Sequence, residues 1–266
     1  MSSPASEKLI PAATILLLRD SAEGLEVFMV VRHHQIDFAS GALVFPGGKV
    51  DPRDRHENVR GLVDGAEDLD DWEFAMRVAA IREAYEECGV LLARDEKTGA
   101  LVNAARLTEL EHRRDALNKG EIGIGDMLAE EGLRLAADLL TPYAHWITPN
   151  MMPKRFDTRF YLALAPEDHL AVHDGSESVD SVWIKPLDAV REAEEGKRTI
   201  IFPTRVNVQK LGRHANAAHA IETARAARIV TVEPQVTKNE AGEPVLRIPI
   251  EAGYDVNEEP LSRVKV

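Results

Sequence analysis

The segment from Trp72 to Cys88 constrains the fold most, because it has the pattern of one two-faced α-helix. Its apolar residues recur at alternating steps of four and three, which is the spacing of a single buried helix face. These residues are Phe74, Val78, Ile81, Tyr85, Cys88 and, just beyond, Leu92. Asp70 or Asp71 can cap the start of this helix, and Gly89 can end it. The sequence therefore predicts a helix over 72–88 that packs one face on a core.

The opposite face of this helix carries three carboxylates. Glu83, Glu86 and Glu87 stand at positions i, i+3 and i+4, which places them within about 100° of one another around the helix axis. Like charges at this spacing repel one another, whereas a hard divalent cation prefers carboxylate oxygens as ligands. A solvated glutamate face is the plain alternative. Arg82 can pair with Glu86 at i+4, which favours the metal-binding interpretation.

Composition excludes several classes of partner. The formal net charge of −13 argues against nucleic-acid binding, because duplex affinity requires Lys and Arg to neutralise phosphates. No apolar run approaches the roughly 20 residues of a membrane helix. The single cysteine, Cys88, excludes an internal disulfide and agrees with a reducing compartment. We expect a cytoplasmic protein without nucleic-acid or membrane partners, and the sequence leaves a homodimer open.

Strand-like and helix-like segments alternate along the chain, which is typical of the α/β class. The predicted strands are 10–18, 25–32, 157–164, 179–185 and a strand within 41–54 that runs into a Gly-Gly turn, and the other predicted helices are two within 103–140, one over 186–195 and one over 204–228. Residues 8–195 should form one domain, with a polar excursion at about 55–70 and a helical insert at about 103–140. Residues 196–266 should add a C-terminal helix and an extended segment packed on the same domain.

Two stretches of sequence together resemble the Nudix box. FPGGKVDPRD (45–54) corresponds to its first half, and REAYEECGV (82–90) to its second half, R-E-x-x-E-E-x-G. The resemblance implies a Nudix α/β/α sandwich around a mixed sheet, with helical insertions and a C-terminal extension. It also implies that Glu83, Glu86 and Glu87 bind Mg²⁺ or Mn²⁺.

Further roles follow from the same resemblance. The carbonyl of Gly47 becomes a further candidate metal ligand. Arg82 would hold the glutamates in place, and Gly48 would approach the substrate. Glu177, which precedes the strand at 179–185, becomes a candidate ligand or general base, with an ordinary loop carboxylate as the alternative.

The chain departs from the common motif at two points. Asp54 stands where the motif has a glutamate, so its supporting role is open. The spacer between the two halves fills positions 55–81 and is about 20 residues longer than the usual seven. This long spacer resembles the peroxisomal-type acyl-CoA diphosphatase subgroup and its bacterial relatives. Against the signature of other CoA-cleaving members, Arg32 fits as a substrate-binding candidate, whereas Asp37 stands where an arginine is expected.

A strand at 155–160 offers two further cations. Strand alternation places Arg155, Asp157 and Arg159 on one face. The two arginines are candidates for binding substrate phosphates by bidentate hydrogen bonds. The alternative is an arginine–aspartate pair on a solvated sheet face.

The predicted activity is Mg²⁺-dependent hydrolysis of a pyrophosphate bond. The substrate would be a small organic diphosphate, a nucleoside diphosphate linked to another moiety, with CoA or acyl-CoA as the leading candidate. A nucleotide-sugar or dinucleotide diphosphatase is the alternative enzyme. A non-catalytic Nudix-fold binding or regulatory module is the alternative outside enzymes.

Overall fold

The computed structural model describes residues 9–32, 41–169 and 178–264. The strands are β1 (Ile10–Ser21), β2 (Gly24–Arg32), β3 (Leu43–Val44), β4 (Gly47–Lys49), β5 (Val63–Asp64), β6 (Ala93–Asp95), β7 (Leu133–Ala136), β8 (Thr141–Ile147), β9 (Phe156–Leu164), β10 (Ser178–Ile184), β11 (Thr231–Val232), β12 (Gln235–Lys238), β13 (Pro244–Arg247) and β14 (Glu258–Pro260). The α-helices are α1 (Glu57–Arg60), α2 (Asp71–Cys88), α3 (Ala104–Glu109), α4 (Glu111–Asn118), α5 (Ile124–Glu131), α6 (Pro186–Glu194), α7 (Phe202–Leu211) and α8 (Ala217–Ala226). Short 3₁₀ turns occupy Pro52–Arg55, Ala137–Leu139, Ile250–Ala252 and Leu261–Arg263.

The central sheet is mixed and is organised around β1. Its strand order is β10-β2-β1-β9-β8-β11, with β3 paired to β2 and β4 paired to β1. β1 runs parallel to β9 and antiparallel to β2 and β4. β1 has neighbours on both edges, and the consecutive residues Ile15–Leu18 in it are all completely buried, so the sheet is covered on both faces here.

The two faces of β1 belong to two separate apolar clusters. Ile15 and Leu17 pack into the cluster that contains α2. Leu16 and Leu18 pack into the cluster that contains residues of α6, α7 and α8. Successive strand residues point to opposite faces, so this alternation places helices on both sides of one sheet. The predicted α/β class and α/β/α sandwich are confirmed.

The motif glycines lie in a strand and not in the predicted turn. β4 pairs with the first half of β1 through Thr14–Gly47 and Ala13–Gly48. At Gly47, an added Cβ would lie 2.4 Å from the carbonyl oxygen of Ala13, so any side chain there would collide with the neighbouring strand. The close pairing of β4 with β1 therefore explains the glycine and fixes the motif at the sheet.

Helix α2 has the predicted position and caps. The carboxylate of Asp70 accepts a hydrogen bond from the Glu73 amide at 2.8 Å, and Gly89 ends the helix with a φ of 71°. The predicted apolar stripe is buried throughout, including Leu92 just beyond the helix.

The segment 55–70, which the sequence predicts to be a polar excursion, packs partly on the core. Its apolar residues Val59, Val63 and Ala66 are buried and join the core cluster of α2. β5, which contains Val63, pairs with β7 in a small sheet that also includes β6. Scattered apolar residues in a polar segment gave no period, so the sequence did not reveal this packing.

Other differences concern element boundaries. The region 103–140 contains three helices, a strand and a 3₁₀ turn where two helices were predicted, and β8 was missed. The helix predicted over 204–228 is two helices, because the chain breaks after Leu211 and restarts at Asn216, whose side chain caps α8. Among the described residues, no helix is long and apolar enough to cross a membrane.

We predict that replacing residues 57–66 by a Gly/Ser linker of equal length destabilises the protein. Val59 and Val63 are 1% and 4% exposed, and removing two buried valines should cost about 3 kcal/mol in the free energy of unfolding. Urea unfolding measures this, with the exposed substitution Glu67→Gln as a control. An unchanged midpoint for the linker variant would show that the segment is not part of the core.

Candidate active site

Arg82 joins the two halves of the motif. Its Nε and Nη2 donate to the two carboxylate oxygens of Asp54 at 2.9 and 3.0 Å. Nη2 also donates to the carbonyl of Lys49 at 2.8 Å, and Nη1 donates to Glu83 and Glu86 at 2.9 and 2.8 Å. One guanidinium therefore positions the loop after β4 and two glutamates of α2.

Asp54 is completely buried and is held by its own turn. Its Oδ2 accepts a hydrogen bond from the Asp51 amide at 2.8 Å, while Asp51 caps the 3₁₀ turn by accepting from the amide of Arg53. The shorter aspartate side chain therefore reaches Arg82 in a bidentate contact. Asp54 thus contacts the arginine that also holds Glu83 and Glu86.

The two glycines of β4 allow the glutamates to approach the sheet. An added Cβ at Gly48 would lie 2.5 Å from a carboxylate oxygen of Glu83. The amide of Gly47 donates to Oε2 of Glu87 at 2.9 Å. Thus all three motif glutamates contact the first half of the motif, either directly or through Arg82.

Burial shapes the electrostatics of the site. Desolvation raises the pKa of Glu83 to about 7, although Arg82 opposes this shift. Desolvation also raises the pKa of Glu86 and of Asp54, again against the effect of Arg82. Burial lowers the pKa of Arg82, but the carboxylates of Glu83 and Asp54 outweigh it and the net direction is upward. Arg82 therefore stays charged, amid more carboxylates than it can neutralise.

The donor set suits a hard divalent cation, but it is not arranged around one point. Glu83 and Glu86 share one guanidinium nitrogen, and the second oxygen of each carboxylate makes no hydrogen bond to a described residue. No three acidic, His or Cys side chains converge on a metal-sized position within the described ranges. The third glutamate, Glu87, accepts the Gly47 amide hydrogen through Oε2. Oxygen donors of this type are those that Mg²⁺ and Mn²⁺ prefer.

The helical insert contacts both halves of the motif. Arg53 donates to the carbonyl of Ile122 at 2.9 Å, beyond the end of α4. Arg114 and Asn118 of α4 donate to the carbonyl of Glu86 at 3.1 and 3.3 Å. The last turn of a helix leaves carbonyls without partners, and here the insert binds one. Sequence reasoning missed these contacts, and only the basic character of Arg53 and Arg114 could have suggested them.

The strand arginines are not equivalent. Arg155 donates to Glu233 at 2.5 Å and to the carbonyl of Thr148 at 3.0 Å. The carboxylate of Asp157 accepts a hydrogen bond from His145 Nε2 at 2.7 Å, and the arginine–aspartate pair considered from the sequence does not form. Arg159 lies on the same strand face, level with Ala13 of β1.

Two predicted site residues cannot be placed. Glu177 and the side chain of Arg32 lie outside the described residues, as does Asp37. Their roles stay predictions. Cys88 is buried and its thiol donates to the carbonyl of Ala84, which fits a packing role.

Comparison with known proteins agrees with this geometry. The family described as the NUDT19 Nudix domain matches residues 64–211, which is more than half of the chain. The chain therefore belongs to the Nudix hydrolase family. Nudix hydrolases generally use divalent cations and act on small molecules.

Within the family, the chain resembles the NUDT19 subgroup. Putative nudix hydrolase 7 of Caenorhabditis elegans is 32% identical over 194 residues, covering 72% of this chain and 57% of that protein. The acyl-coenzyme A diphosphatase NUDT19 of Homo sapiens is 28% identical over 215 residues, covering 63% of this chain and 55% of that protein. The matches thus span less than two thirds of the length of these relatives.

A solved structure supports the same fold. The crystal structure of a NUDIX hydrolase from Alicyclobacillus acidocaldarius has a TM-score of 0.68 and 29% identity to this chain. The match covers 85% of this chain and 99% of that one. The likeness therefore includes nearly the whole of the solved protein.

We predict that Asp54→Ala lowers the free energy of unfolding by about 3–5 kcal/mol, because it leaves the buried Arg82 charge without its bidentate partner. Chemical denaturation measures the loss. Asp71→Ala is the matched control, since its carboxylate is 94% exposed in its pair with Arg60 and such pairs contribute little. Equal, small effects of both substitutions would contradict the supporting role of Asp54.

We predict that Gly48→Ala weakens Mn²⁺ binding by roughly 10- to 100-fold, the range seen when groups that orient ligands are changed. The added methyl group must displace the Glu83 carboxylate. Gly61→Ala is the control, because no atom lies within 4 Å of a Cβ at that position. Paramagnetic titration with Mn²⁺ provides the measurement, and unchanged affinity in Gly48→Ala would separate Glu83 from the metal site.

Proposed function

We propose that the protein hydrolyses the phosphoanhydride bond of a nucleoside diphosphate linked to another moiety, with Mg²⁺ or Mn²⁺ as cofactor. Glu83, Glu86 and Glu87 would hold the metal, and the carbonyl of Gly47 is a further ligand candidate. The observation that carries this proposal is the set of bonds from Arg82 to Asp54, Glu83 and Glu86. A solvated glutamate face would not need a buried arginine that holds two of its carboxylates in place.

The residues of the chain prepare the site before substrate binds. Arg82 fixes the carboxylates of Glu83 and Glu86, so their mutual repulsion is offset in the folded protein. Gly48 has no side chain and so leaves room for the Glu83 carboxylate beside β4. A bound divalent cation supplies charge neutralisation at the phosphoryl oxygens and a water that ionises more readily. One of the three glutamates, or Glu177, takes the proton from the attacking water.

CoA or an acyl-CoA is the substrate that we propose. The support comes from the likeness to the NUDT19 domain and from the long spacer between the motif halves. The human relative is named an acyl-coenzyme A diphosphatase. Cleavage at the diphosphate would give adenosine 3′,5′-bisphosphate and a 4′-phosphopantetheine product. A nucleotide sugar or a dinucleotide remains the alternative substrate class.

The structure weakens the case for a non-catalytic binding module. Asp54 was the only sequence feature that favoured loss of catalysis, because the usual motif glutamate is absent. Its bidentate contact with Arg82 supports an intact arrangement with an aspartate in that role. A module that only binds ligand would not need this arrangement.

We predict that Glu86→Gln and Glu87→Gln each lower turnover by several orders of magnitude while the fold persists. Removing one carboxylate weakens the binding of a cation that is held mainly by charge. The apolar stripe of α2 is unchanged, so the fold should persist. The assay is Mg²⁺- or Mn²⁺-dependent hydrolysis of CoA, acyl-CoA, NADH, ADP-ribose, dinucleotides and nucleoside triphosphates. Glu67→Gln, an exposed glutamate outside the site, serves as the matched control.

The outcomes separate the candidate functions. Near-wild-type rates for either variant at saturating Mg²⁺ would remove that glutamate from the metal site. No cleavage of CoA beside good cleavage of another diphosphate would end the CoA proposal and keep the hydrolase chemistry. No cleavage of any diphosphate, with ligand still bound, would favour the binding module.

A further inference from the structure

A row of paired strand positions runs from the motif glycines across the sheet to Arg159. In this row, Gly48 pairs with Ala13, Ala13 pairs with Arg159, and Arg159 pairs with His145. Ala13 and Tyr161 belong to the apolar cluster of α2. Arg159 is two residues from Tyr161 along β9, so both side chains point to the α2 side of the sheet.

The charged residues that precede Arg159 in the sequence, Arg155 and Asp157, already have partners. Arg155 is paired with Glu233 at 2.5 Å. Asp157 is paired with His145 Nε2 at 2.7 Å, and the other ring nitrogen of His145 contacts the hydroxyl of Thr231 at 2.8 Å. None of these contacts involves Arg159.

Arg159 itself lacks a counter-charge among the described residues. Its Nε is buried and has no hydrogen-bond partner. The side chain forms no ion pair with any carboxylate in the described ranges, although three glutamates lie on the same side of the sheet. Holding a partly desolvated guanidinium without a partner is unfavourable. An anionic group of a ligand would remove that cost.

The distance from the motif suggests which anion this is. Gly48 and Arg159 are two strand spacings apart, which places their backbones about 10 Å from each other. The diphosphate to be cleaved belongs beside the glutamates and Gly48. A group that reaches Arg159 therefore lies away from the bond that is cleaved.

We propose that Arg159 binds a second phosphate of the substrate, one that is not hydrolysed. This proposal rests on the proposed function, since it extends the same substrate across the sheet. The planar guanidinium can donate two parallel hydrogen bonds to a phosphate. Arg155 does not have this role, because Glu233 and the carbonyl of Thr148 occupy its guanidinium. Arg159 thereby selects substrates that carry a phosphate outside the diphosphate, as CoA does at its 3′ position.

The test uses two nucleotides that lack a phosphoanhydride bond, so binding is measured without turnover. Adenosine 3′,5′-bisphosphate and 5′-AMP are titrated calorimetrically into the full-length protein in the presence of Mg²⁺. The wild-type protein should bind the bisphosphate at least tenfold more tightly than 5′-AMP. Arg159→Gln should bring this ratio close to one, and Arg155→Gln, the matched control, should keep it. Arg159→Lys retains the charge and should keep part of the ratio.

Two results would overturn the proposal: a wild-type ratio near one, or a ratio that Arg159→Gln leaves unchanged. Thermal unfolding of each variant checks that the fold persists. If Arg159→Gln unfolds, Arg159→Met is measured in its place, with the same expected loss of the ratio. Hydrolysis of CoA and dephospho-CoA is measured separately. A preserved binding ratio without any hydrolysis would reject the proposed activity and keep the phosphate site. Hydrolysis together with a binding ratio of one would keep the proposed activity and reject the phosphate site.

Discussion

The buried contact between Arg82 and Asp54 is the interaction on which the site depends. It connects a turn after β4 to the middle of α2, and the same guanidinium holds Glu83 and Glu86. A buried ion pair adds little net stability compared with apolar packing, because both charges lose their hydration. Here the ion pair serves to position side chains. It holds Glu83 and Glu86 close together in a partly desolvated site, where their carboxylates would otherwise repel each other.

The features that the sequence predicted well are those set by short spacing. The apolar stripe of α2 and its caps follow from the helix period. The grouping of Glu83, Glu86 and Glu87 is local in the same sense. Each depends on neighbours within a few residues, so no knowledge of the packing was needed.

The features that could not be predicted depend on contacts between distant segments. Nothing in the local sequence shows that Asp54 meets Arg82, or that Glu233 meets Arg155. The buried valines of the spacer, Val59 and Val63, lie in a segment without a clear period, so their place in the core appears only in three dimensions. The distinction between the two strand arginines has the same origin, because it lies in their partners and not in their own spacing.

The spacer between the motif halves has a consequence for how such chains diversify. The Arg82–Asp54 contact closes residues 55–81 into a loop, and each doubling of loop length adds only about 0.6 kcal/mol of closure entropy. A longer loop therefore costs little conformational entropy. Exchanging the segment costs stability mainly through the loss of its packing on the core. A segment of variable length can therefore stand between two motif halves that Arg82 and Asp54 hold together.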